Sequence, residues 1–416
     1  MQDGRRQGVL MVVENSPYFR DPRVRNQAET LTAAGYRVFI ICPGRSGEPW
    51  YERVGNVGVY RFSLRSFANN ALGYLMEYTH AILFIALLSV LVWFREGFDI
   101  IHVSNPPDCI VPIMSVYKWL GKLIIYDQHD LCPELYGAKF GQRWYLYKVL
   151  LLLERYSYRL ADHVIVTNES CKKIARLRGL LPDSKVTVVR NGPSLSNLGS
   201  ADVDLEIRAK SPNIIAFAGV IGFQDGLDQL CRALHYLRHE LRREDFYCIV
   251  LGEGDALNEI KGLAQELQLD DKVWFAGWIR DPKVFARYLS TADICVAPDP
   301  SNSYNNYSTF VKIMDYMAAR KPIVAFDLVE TRRTAETAAT YAHPNDIGSF
   351  AQKMADLMTD PSLRHSMGES GYLRIRNELA WQYSVPKLLG AYEIAKSRIA
   401  GWTVSSSKEP AEQGGG

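Results

Sequence analysis

The feature that most constrains this chain is a repeated alternation of short apolar segments, polar loops and amphipathic segments. Apolar segments at residues 8–13 and 36–42 open the first half, and the pattern restarts at residues 213–219 and 247–252. Continuous apolar runs of this length are typical of strands that are buried on both faces of a parallel sheet. Their alternation with helices predicts an α/β fold in which two Rossmann-like domains face each other across a cleft.

The length of the chain supports two domains, because 416 residues exceed what one hydrophobic core usually holds together. We expect an N-terminal Rossmann-like domain, a polar linker, a C-terminal Rossmann-like domain, a C-terminal helix that packs back on the first domain, and a disordered tail. Their predicted bounds are, in that order, residues 1–195, 196–212, 213–380, 381–402 and 403–416.

The net charge of +2 argues against a dedicated nucleic-acid-binding protein. The charge is unevenly distributed, since residues 1–200 contain 24 Lys and Arg but only 17 Asp and Glu. A basic N-terminal half suits an anionic partner such as a lipid phosphate or a membrane surface. An ordinary surface with unevenly placed charges is the alternative.

The seven cysteines form no CxxC pair, and most of them lie in apolar segments. This usage is typical of a reduced, cytosolic protein without a disulfide framework or a zinc site. The apolar segment after Gly8 soon ends in Glu14, so we expect no signal peptide there.

Two apolar helices are predicted in the first half of the chain. Residues 81–94 carry no charge but are fewer than the roughly twenty residues that span a bilayer. Residues 144–160 are rich in Trp and Tyr and are flanked by Lys and Arg. Both helices fit packing against the sheet, and both fit contact with a membrane surface through residues 71–95 and 144–160.

Residues 296–330 predict a strand end, a long polar loop, a helix and a second buried strand. Ser308 or Thr309 is expected to cap this helix, and Lys312 and Asp315 share one of its faces. An anion at this end would meet the helix dipole and an ammonium, while the carboxylate could accept hydrogen bonds from a diol. This combination suits a nucleotide sugar, although an incidental Lys–Asp pair is the simpler alternative.

Three polar residues, His129, Asp130 and Glu134, follow the predicted strand at residues 123–127. Open α/β sheets bind ligands beyond the carboxyl ends of their strands. The spacing matches no common pattern of metal ligands, so a hydrogen-bonding or charge-stabilising role is the functional prediction. A purely structural histidine is the alternative.

Five segments resemble, in the right order, the GT-B fold glycosyltransferases of the family 4 type. They are DPRVRNQAETLTAAGYRV, YDQHDLCPELY, ADHVIVTNES with VTVVRNGP, FAGVIGFQDGLDQL, and CVAPDPSNSYNNYSTFVKIMDYMAARKPIVAFD. The NGP turn and the KIMDYMA helix resemble in particular the subgroup found in bacterial exopolysaccharide and O-antigen synthesis.

The resemblance implies a retaining, metal-independent hexosyltransferase that takes a nucleotide sugar as its substrate and needs no cofactor. The family's donor motif is two glutamates separated by seven residues, and these positions fall on Tyr307 and Asp315. The loop VIGFQDG lacks the Arg and Lys that usually meet the diphosphate, so Lys312 is expected to replace them, with Arg332 and Arg333 as second choices. The donor-binding residues implied are Gly219, Gly222, Gln224, Asn191, Glu253, Gly254, Ser308, Thr309, Lys312 and Asp315.

Catalysis is expected to involve His129, Asp130, Lys312 and Asp315, with His129 contacting the donor sugar as the similar loop histidine does in relatives. The acceptor-binding residues expected in the N-terminal domain are Asn15, Arg20, Arg23 and Glu134. The resemblance implies a polyprenyl-diphosphate-linked glycan acceptor and peripheral association with the cytoplasmic face of the inner membrane. A catalytically inactive nucleotide-sugar-binding subunit and a nucleotide-sugar 2-epimerase are the alternative functions.

Overall fold

The computed structural model describes residues 6–45, 47–63, 71–141, 143–194 and 201–405. The chain divides into two compact units. Unit 1 contains Met1–Pro133, Arg143–Arg190 and Ser384–Gly416, and unit 2 contains Glu134–Gln142 and Asn191–Tyr383. The predicted tail beyond residue 405, the last residue of the predicted N-terminal domain (195) and the first part of the predicted linker (196–200) lie outside the described residues.

Unit 1 is built on an eight-stranded sheet in the order β3-β4-β2-β1-β5-β6-β7-β8, and β3 is its one antiparallel strand among those described. The strands are β1 (Gly8–Val12), β2 (Arg37–Gly44), β3 (Tyr51–Val54), β4 (Val57–Ser63), β5 (Ile100–Ser104), β6 (Leu123–Gln128), β7 (His163–Val166) and β8 (Val186–Val188). In the register, Val9 lies opposite Val38 on one side and opposite Ile100 on the other.

Unit 2 is built on a six-stranded parallel sheet in the order β11-β10-β9-β12-β13-β14. Its strands are β9 (Asn213–Ala218), β10 (Phe246–Leu251), β11 (Val273–Gly277), β12 (Ile294–Ala297), β13 (Ile323–Phe326) and β14 (Ala339–Ala342). Every residue of β9 is buried, as expected for a central strand covered by helices on both faces.

Helices connect the strands of both sheets. They are α1 (Pro22–Ala33), α2 (Ala71–Arg95), α3 (Ile110–Met114), α4 (Val116–Trp119), α5 (Cys132–Phe140), α6 (Trp144–Leu160), α7 (Glu169–Gly179), α8 (Leu205–Arg208), α9 (Leu227–His239), α10 (Leu257–Glu266), α11 (Pro282–Thr291), α12 (Val311–Ala318), α13 (Val329–Ala335), α14 (Ile347–Thr359), α15 (Pro361–Arg374) and α16 (Val385–Ser405). A π-helical turn, Ile375–Leu379, follows α15.

Local sequence explains where several helices begin. The Asp21 carboxylate accepts a hydrogen bond from the Val24 N–H at 3.1 Å, and Pro22 occupies the first turn of α1. The Asn168 side chain caps α7 in the same way, accepting from the Cys171 N–H at 2.7 Å. Both caps satisfy N–H groups that have no partner inside the helix.

Helix α2 is longer than the charge-free run predicted. Among the described residues it is the one helix long and apolar enough to cross a membrane, by the length and composition of Met76–Arg95. The helix is longer than the expected apolar segment, because charges near a helix end do not shorten the apolar helix itself. The expectation that it does not span a bilayer stays a prediction. A core helix of a soluble protein meets the same criteria, so length alone does not separate the two interpretations.

The packing of α2 shows that one of its faces belongs to the core. Ala81, Ile85, Ser89 and Val92 are buried at a spacing of three or four residues, which is one face of a helix. The other face carries apolar side chains that remain exposed, including Leu87 at 67%. Core packing therefore accounts for one face of this helix and leaves the opposite face exposed.

The C-terminal helix α16 belongs to unit 1, where Leu388, Ala391, Tyr392 and Ala395 are buried. These residues repeat at intervals of three and four, so they form a single stripe along the helix.

All seven cysteines carry free thiols, and six of them are buried.

A charged group lies in the core of unit 1 beneath α6. Glu154 is fully buried and accepts hydrogen bonds from Gln128 Nε2 at 3.1 Å and from Arg178 Nη1 at 3.1 Å. Because a buried carboxylate without a partner is costly, this ion pair fixes α7, which carries Arg178, against α6.

Replacement of Arg178 by Met keeps an apolar stem but leaves Glu154 buried and without its cation. We expect the free energy of unfolding to fall by about 3 kcal/mol, measured by denaturant unfolding. The control is Arg176→Met on the same helix, whose ion pair with Asp183 is half-exposed and should cost at most about 1 kcal/mol. Equal losses in the two variants would contradict this account of α6 and α7.

Candidate active site

Strand order locates the candidate site in each unit. In unit 1 the chain builds outward from β1 in both directions, since β2 and β5 flank it. In unit 2, β10 and β12 flank β9 in the same way. Ligands of open α/β sheets bind beyond the carboxyl ends of the strands at such reversals of strand order. The candidate ligand-binding loops are therefore those after β1, β5 and β6 in unit 1 and those after β9 and β12 in unit 2.

In unit 1 the centre of the polar network is Asp127, which is fully buried in β6. Arg23 donates to it twice, from Nε at 3.0 Å and from Nη2 at 2.6 Å. Gln27 Nε2, one turn further along α1, donates at 2.7 Å. A bidentate arginine is the strongest partner that a side chain offers to a carboxylate.

Two histidines also face Asp127. His129 Nε2 lies 2.8 Å from Asp127 Oδ2, and His102 Nε2 lies 3.3 Å from the same oxygen. On its other side, His102 Nδ1 is 2.8 Å from the hydroxyl of Tyr392 on α16. Burial alone would raise the pKa of Asp127, but the charges of Arg23 and His129 outweigh it and hold that pKa well below its usual range.

The loop after β6 is held by Asn105. Its side-chain oxygen accepts from the backbone N–H groups of His129 at 2.7 Å and Asp130 at 3.2 Å. Its amide nitrogen donates to Asp108 at 2.8 Å and to the Asp130 carbonyl at 2.8 Å. The sequence-predicted pair His129 and Asp130 is thus brought together at the end of β6 by a buried amide that the sequence analysis did not single out.

The predicted acceptor-binding residues do not form one group. Asn15 and Arg20 are exposed in the loop after β1. Arg23 is only 2% exposed, and besides Asp127 it donates to the Val189 carbonyl at 2.6 Å. Its guanidinium is already bound inside the unit, so acceptor binding by Arg23 stays a prediction that these contacts do not support. Glu134 is buried on α5 and is counted with unit 2.

In unit 2 the loops after β9 and β12 are tied together. Asn305 Nδ2 donates to the Gln224 carbonyl at 2.9 Å and to the Pro300 carbonyl at 2.9 Å. Gly226, at φ +74°, packs so tightly that a Cβ there would lie 2.0 Å from the Pro298 carbonyl oxygen. Only glycine fits this approach.

Lys312 lies at the start of α12 and is 8% exposed. Its Nζ donates to Asp299 Oδ1 at 2.6 Å and lies 4.9 Å from the ring centres of Phe217 and of Phe310. Burial raises the pKa of Asp299 despite the neighbouring ammonium. The charge of Lys312 is therefore already partly compensated before any ligand arrives, which the sequence did not indicate.

Asp315, one turn further along α12, is half-buried. Within the described part of the chain its side chain makes no hydrogen bond or ion pair. Burial raises its pKa from 3.8 to about 7. A polar group of this kind is free to bind a ligand, and its predicted position on the face of Lys312 is retained.

The loop after β9 contains a carboxylate where the family pattern places cations. Asp225 accepts from the Gly222 N–H at 3.0 Å and from Gln224 Nε2 at 3.1 Å, and burial raises its pKa to about 6. Three buried oxygens nearby have no hydrogen-bond partner: Asp299 Oδ2, Gln224 Oε1 and Asn305 Oδ1. Buried acceptors of this kind are costly unless a donor reaches them.

Of the remaining predicted donor-binding residues, Gly219, Glu253 and Gly254 follow β9 and β10, whereas Asn191 follows β8. Gly219 lies beside Lys312, since a Cβ there would be 3.7 Å from Lys312 Cδ. Glu253 is exposed and Gly254 half-buried in the loop after β10, where the Glu253 carbonyl accepts from the Ile221 N–H. Asn191 is half-buried in the turn after β8.

The predicted helix cap was wrong. Helix α12 begins at Val311 after Phe310, and no side chain caps it. The hydroxyl of Ser308 donates instead to the Tyr304 carbonyl at 3.0 Å, while Thr309 is half-buried in the same loop. A serine that bonds to the backbone four residues earlier extends the preceding turn and leaves the helix to start later.

Tyr307 and the two second-choice arginines, Arg332 and Arg333, also belong to unit 2. Tyr307 ends a short 3-10 helix and is 37% exposed. Arg332 pairs with Asp327 at 2.6 Å, and Arg333 pairs with Glu330 at 2.7 Å. A cavity of about 590 Å³ also borders the loop after β9 at Gly222 and Phe223, but it lies against α9 and α10, and Lys312 and Asp315 do not line it.

No group of three or more His, Cys, Asp or Glu side chains that could hold a metal ion occurs among the residues described. The candidate site in unit 1 contains an imidazole held by a buried carboxylate. The candidate site in unit 2 contains a carboxyl without a partner among the described residues, near the start of a helix.

Comparison with known families identifies both halves of the chain. The family model described as Glycosyltransferase Family 4 matches residues 23–196, and the model described as Glycosyl transferases group 1 matches residues 212–360. With two parallel α/β units and these two domains, the protein is a glycosyltransferase with the GT-B fold.

Individual relatives agree with this class. An uncharacterized glycosyltransferase of Methanocaldococcus jannaschii is 22% identical, over 88% of this chain and 92% of its own length. The capsular polysaccharide biosynthesis glycosyltransferase CapM of Staphylococcus aureus is 21% identical, over 74% of this chain and 79% of its own.

Solved structures show the same fold. Sucrose-phosphate synthase from Thermosynechococcus elongatus superposes with a TM-score of 0.76 at 19% identity, covering 95% of this chain and 100% of that one. Anabaena HepE in complex with UDP-glucose gives a TM-score of 0.64 at 14% identity, covering 94% and 99%.

The raised pKa of Asp315 predicts a pH-dependent stability. The folded protein holds the proton up to about pH 7, whereas the unfolded chain releases it near 3.8, so the free energy of unfolding falls between these values. Asp315→Asn removes this loss. We expect the variant to equal the wild type near pH 3 and to exceed it by up to about 4 kcal/mol at pH 8, measured by urea unfolding.

The control is Asp356→Asn, an exposed carboxylate on α14 of the same unit, which should leave the pH dependence unchanged. An Asp315→Asn variant that is less stable than the wild type at pH 8 would show that the carboxylate is satisfied in the folded protein.

Proposed function

We propose that this glycosyltransferase transfers a hexosyl group from a nucleotide sugar to a hydroxyl of a lipid-linked glycan, with retention and without a metal ion. A polyprenyl-diphosphate-linked glycan at the cytoplasmic face of a bacterial membrane is the proposed acceptor. The UDP-glucose complex of HepE supports the donor class, and the capsular polysaccharide enzyme CapM supports the acceptor class.

The observation that carries the proposal for the donor is the unpaired carboxyl of Asp315. It lies one turn from Lys312, near the start of a helix whose N-terminal dipole favours an anion. A donor that places its diphosphate at the helix start and its ribose diol at Asp315 would satisfy both groups at once. Asp299 competes with the diphosphate for Lys312. In this proposal the backbone N–H groups at the start of α12 therefore bind more of the diphosphate's negative charge.

In the proposed reaction the bond between the anomeric carbon and the donor phosphate oxygen breaks, and the leaving diphosphate gains negative charge at the start of α12. The acceptor hydroxyl oxygen bonds to the anomeric carbon on the same face, and its proton passes to the leaving diphosphate. Dipoles and cations already oriented toward developing charge lower the barrier without further reorganisation. In this proposal His129 binds a hydroxyl of the transferred sugar, and Asp130 stabilises the positive charge that develops on it or orients the acceptor.

The donor proposal predicts a loss of binding that is separate from folding. Asp315→Asn, which is expected to be the more stable protein, should bind nucleoside diphosphates and their sugars about 10- to 100-fold more weakly, as expected for one lost charge-assisted hydrogen bond. Thermal-shift titration with UDP, GDP and their hexosyl derivatives measures this, because a ligand of the folded state raises Tm. Asp356→Asn is the control.

Four outcomes would contradict the proposal. Unchanged nucleotide affinity in Asp315→Asn would remove the donor role of this helix. Binding without sugar transfer to any membrane lipid extract would indicate a non-catalytic subunit. Inversion at the anomeric carbon, measured by NMR of the product, or loss of transfer in a chelator would disprove retention or metal independence.

The proposal for the membrane rests on the exposed apolar face of unit 1. This face joins α2, α4 and α6, because Tyr117 on α4 bonds to Ser89 at 2.9 Å and Lys118 bonds to the Leu160 carbonyl at 2.5 Å. Its side chains are 38–89% exposed. They include Tyr78, Leu83, Phe84, Leu87, Val90, Leu91, Phe94, Val116, Trp119, Leu120, Trp144, Tyr145, Val149, Leu152 and Tyr156.

Cations accompany this apolar face. Arg95, Lys148, Arg155 and Arg159 are exposed on α2 and α6, and Lys148 Nζ lies 4.6 Å from the ring centre of Trp144. An exposed apolar surface of this extent favours a partner, and its cations favour anionic lipid headgroups. We assign the face to a bilayer that contains anionic lipids.

Leu87→Glu should release the protein from vesicles of phosphatidylcholine and phosphatidylglycerol, because the carboxylate must be desolvated to enter the interface. We expect at least about a tenfold loss of the vesicle-bound fraction in a flotation assay. Leu177→Glu on α7 is a matched control, since both leucines are 67% exposed. Wild-type protein that stays at the bottom of the gradient would disprove membrane association.

A further inference from the structure

The hydrogen-bond donors that surround Asp127 determine which ring nitrogen of His129 carries a hydrogen. Asp127 Oδ2 receives Arg23 Nε, Gln27 Nε2, His102 Nε2 and His129 Nε2 at 3.0, 2.7, 3.3 and 2.8 Å. Arg23 and Gln27 are permanent donors, so this oxygen acts only as an acceptor. The carboxylate therefore stays ionised, in agreement with the lowered pKa of Asp127.

An ionised carboxylate has no hydrogen to give, so each imidazole nitrogen that faces it must carry its own. His129 consequently holds its hydrogen on Nε2. Its other nitrogen, Nδ1, has no partner within the described part of the chain, and the side chain is 13% exposed. In neutral His129, Nδ1 is a hydrogen-bond acceptor that is open to a ligand hydroxyl.

His102 connects Asp127 to the C-terminal helix α16 through hydrogen bonds on both of its ring nitrogens. His102 is fully buried and donates from Nε2 to Asp127, so its Nδ1 accepts the hydrogen of the Tyr392 hydroxyl at 2.8 Å. The two rings are stacked, with centroids 6.0 Å apart. Burial holds the pKa of Tyr392 well above its usual range, so this hydroxyl keeps its hydrogen.

We infer that Asp127 is a positioning residue for catalysis: with His102 and Tyr392 it holds His129 in the Nε2–H form and leaves Nδ1 to accept a hydroxyl of the transferred sugar. The sugar as ligand rests on the proposed function, whereas the form of the histidine rests on the hydrogen bonds alone. The C-terminal helix, some 290 residues beyond His102, is thereby part of the machinery around His129.

Nitrogen-15 NMR of the histidine rings in the full-length protein tests this directly. At pH 8 we expect His129 Nδ1 to show the shift of an unprotonated ring nitrogen and Nε2 that of a protonated one, with assignments from His129→Gln and His102→Gln. His163, whose Nε2 bonds to the Thr187 hydroxyl, is an internal reference that should not change in any variant below.

Two variants distinguish a positioning role of Asp127 and Tyr392 from a purely structural one. In Asp127→Asn an N–H must face either Arg23 or the histidines, so His129 should lose its single form, and kcat should fall about 10- to 100-fold with an unchanged donor KM. Tyr392→Phe keeps the stacked ring and should shift the His102 signals and lower kcat by a smaller factor. Tyr60→Phe, another buried tyrosine of unit 1, whose hydroxyl donates to Glu96 at 2.9 Å, is the matched control.

An Nδ1–H form of His129 in the wild type would overturn the inference, as would His129 and His102 signals that do not change in either variant. If Asp127→Asn does not fold, Tyr392→Phe alone decides through the His102 signals. A wild-type enzyme without transferase activity would contradict the proposed function but leave the NMR result intact.

Discussion

The ion pair between Arg23 and Asp127 is the interaction on which unit 1 depends. It joins α1 to a strand 104 residues further along the chain, inside a fully buried environment. Removal of either partner would leave a buried charge without compensation, at a cost of about 3–5 kcal/mol. The pair also orients Asp127, and through it the two histidines that reach the end of the sheet. Stability and site geometry therefore share one carboxylate.

The buried carboxyl groups of unit 2 have fewer hydrogen-bond donors than Asp127 of unit 1. Asp127 in unit 1 has a full set of donors, whereas Asp315 has none within the described residues and Asp299 has one unpartnered oxygen. Burial raises the pKa of Asp315 to about 7 and that of Asp225, which accepts two hydrogen bonds, to about 6. Groups left unsatisfied in the folded protein are those that a ligand can satisfy, so this edge of unit 2 is the stronger candidate for a binding site.

Much of the fold was predictable because helices and buried strands follow simple periodicities. The helix predicted at residues 144–160 was found as Trp144–Leu160, and the predicted strand at 36–42 overlaps Arg37–Gly44. The edge strand Tyr51–Val54 was missed, because its alternation of polar and apolar residues, YERV, is too short to distinguish from a loop. The helix start was misplaced because the Ser308 hydroxyl bonds backward to Tyr304.

The sequence by itself determined the α/β class, the two-domain division and the loops that carry the candidate site, since these depend on local apolar patterns and on the order of motifs. It also singled out His129 and Asp315. Only the tertiary structure decided which polar residues are free and which are bound, because that depends on partners far apart in the chain. Arg23 was expected to meet a ligand and is instead bound to Asp127, and Lys312 shares its charge with Asp299.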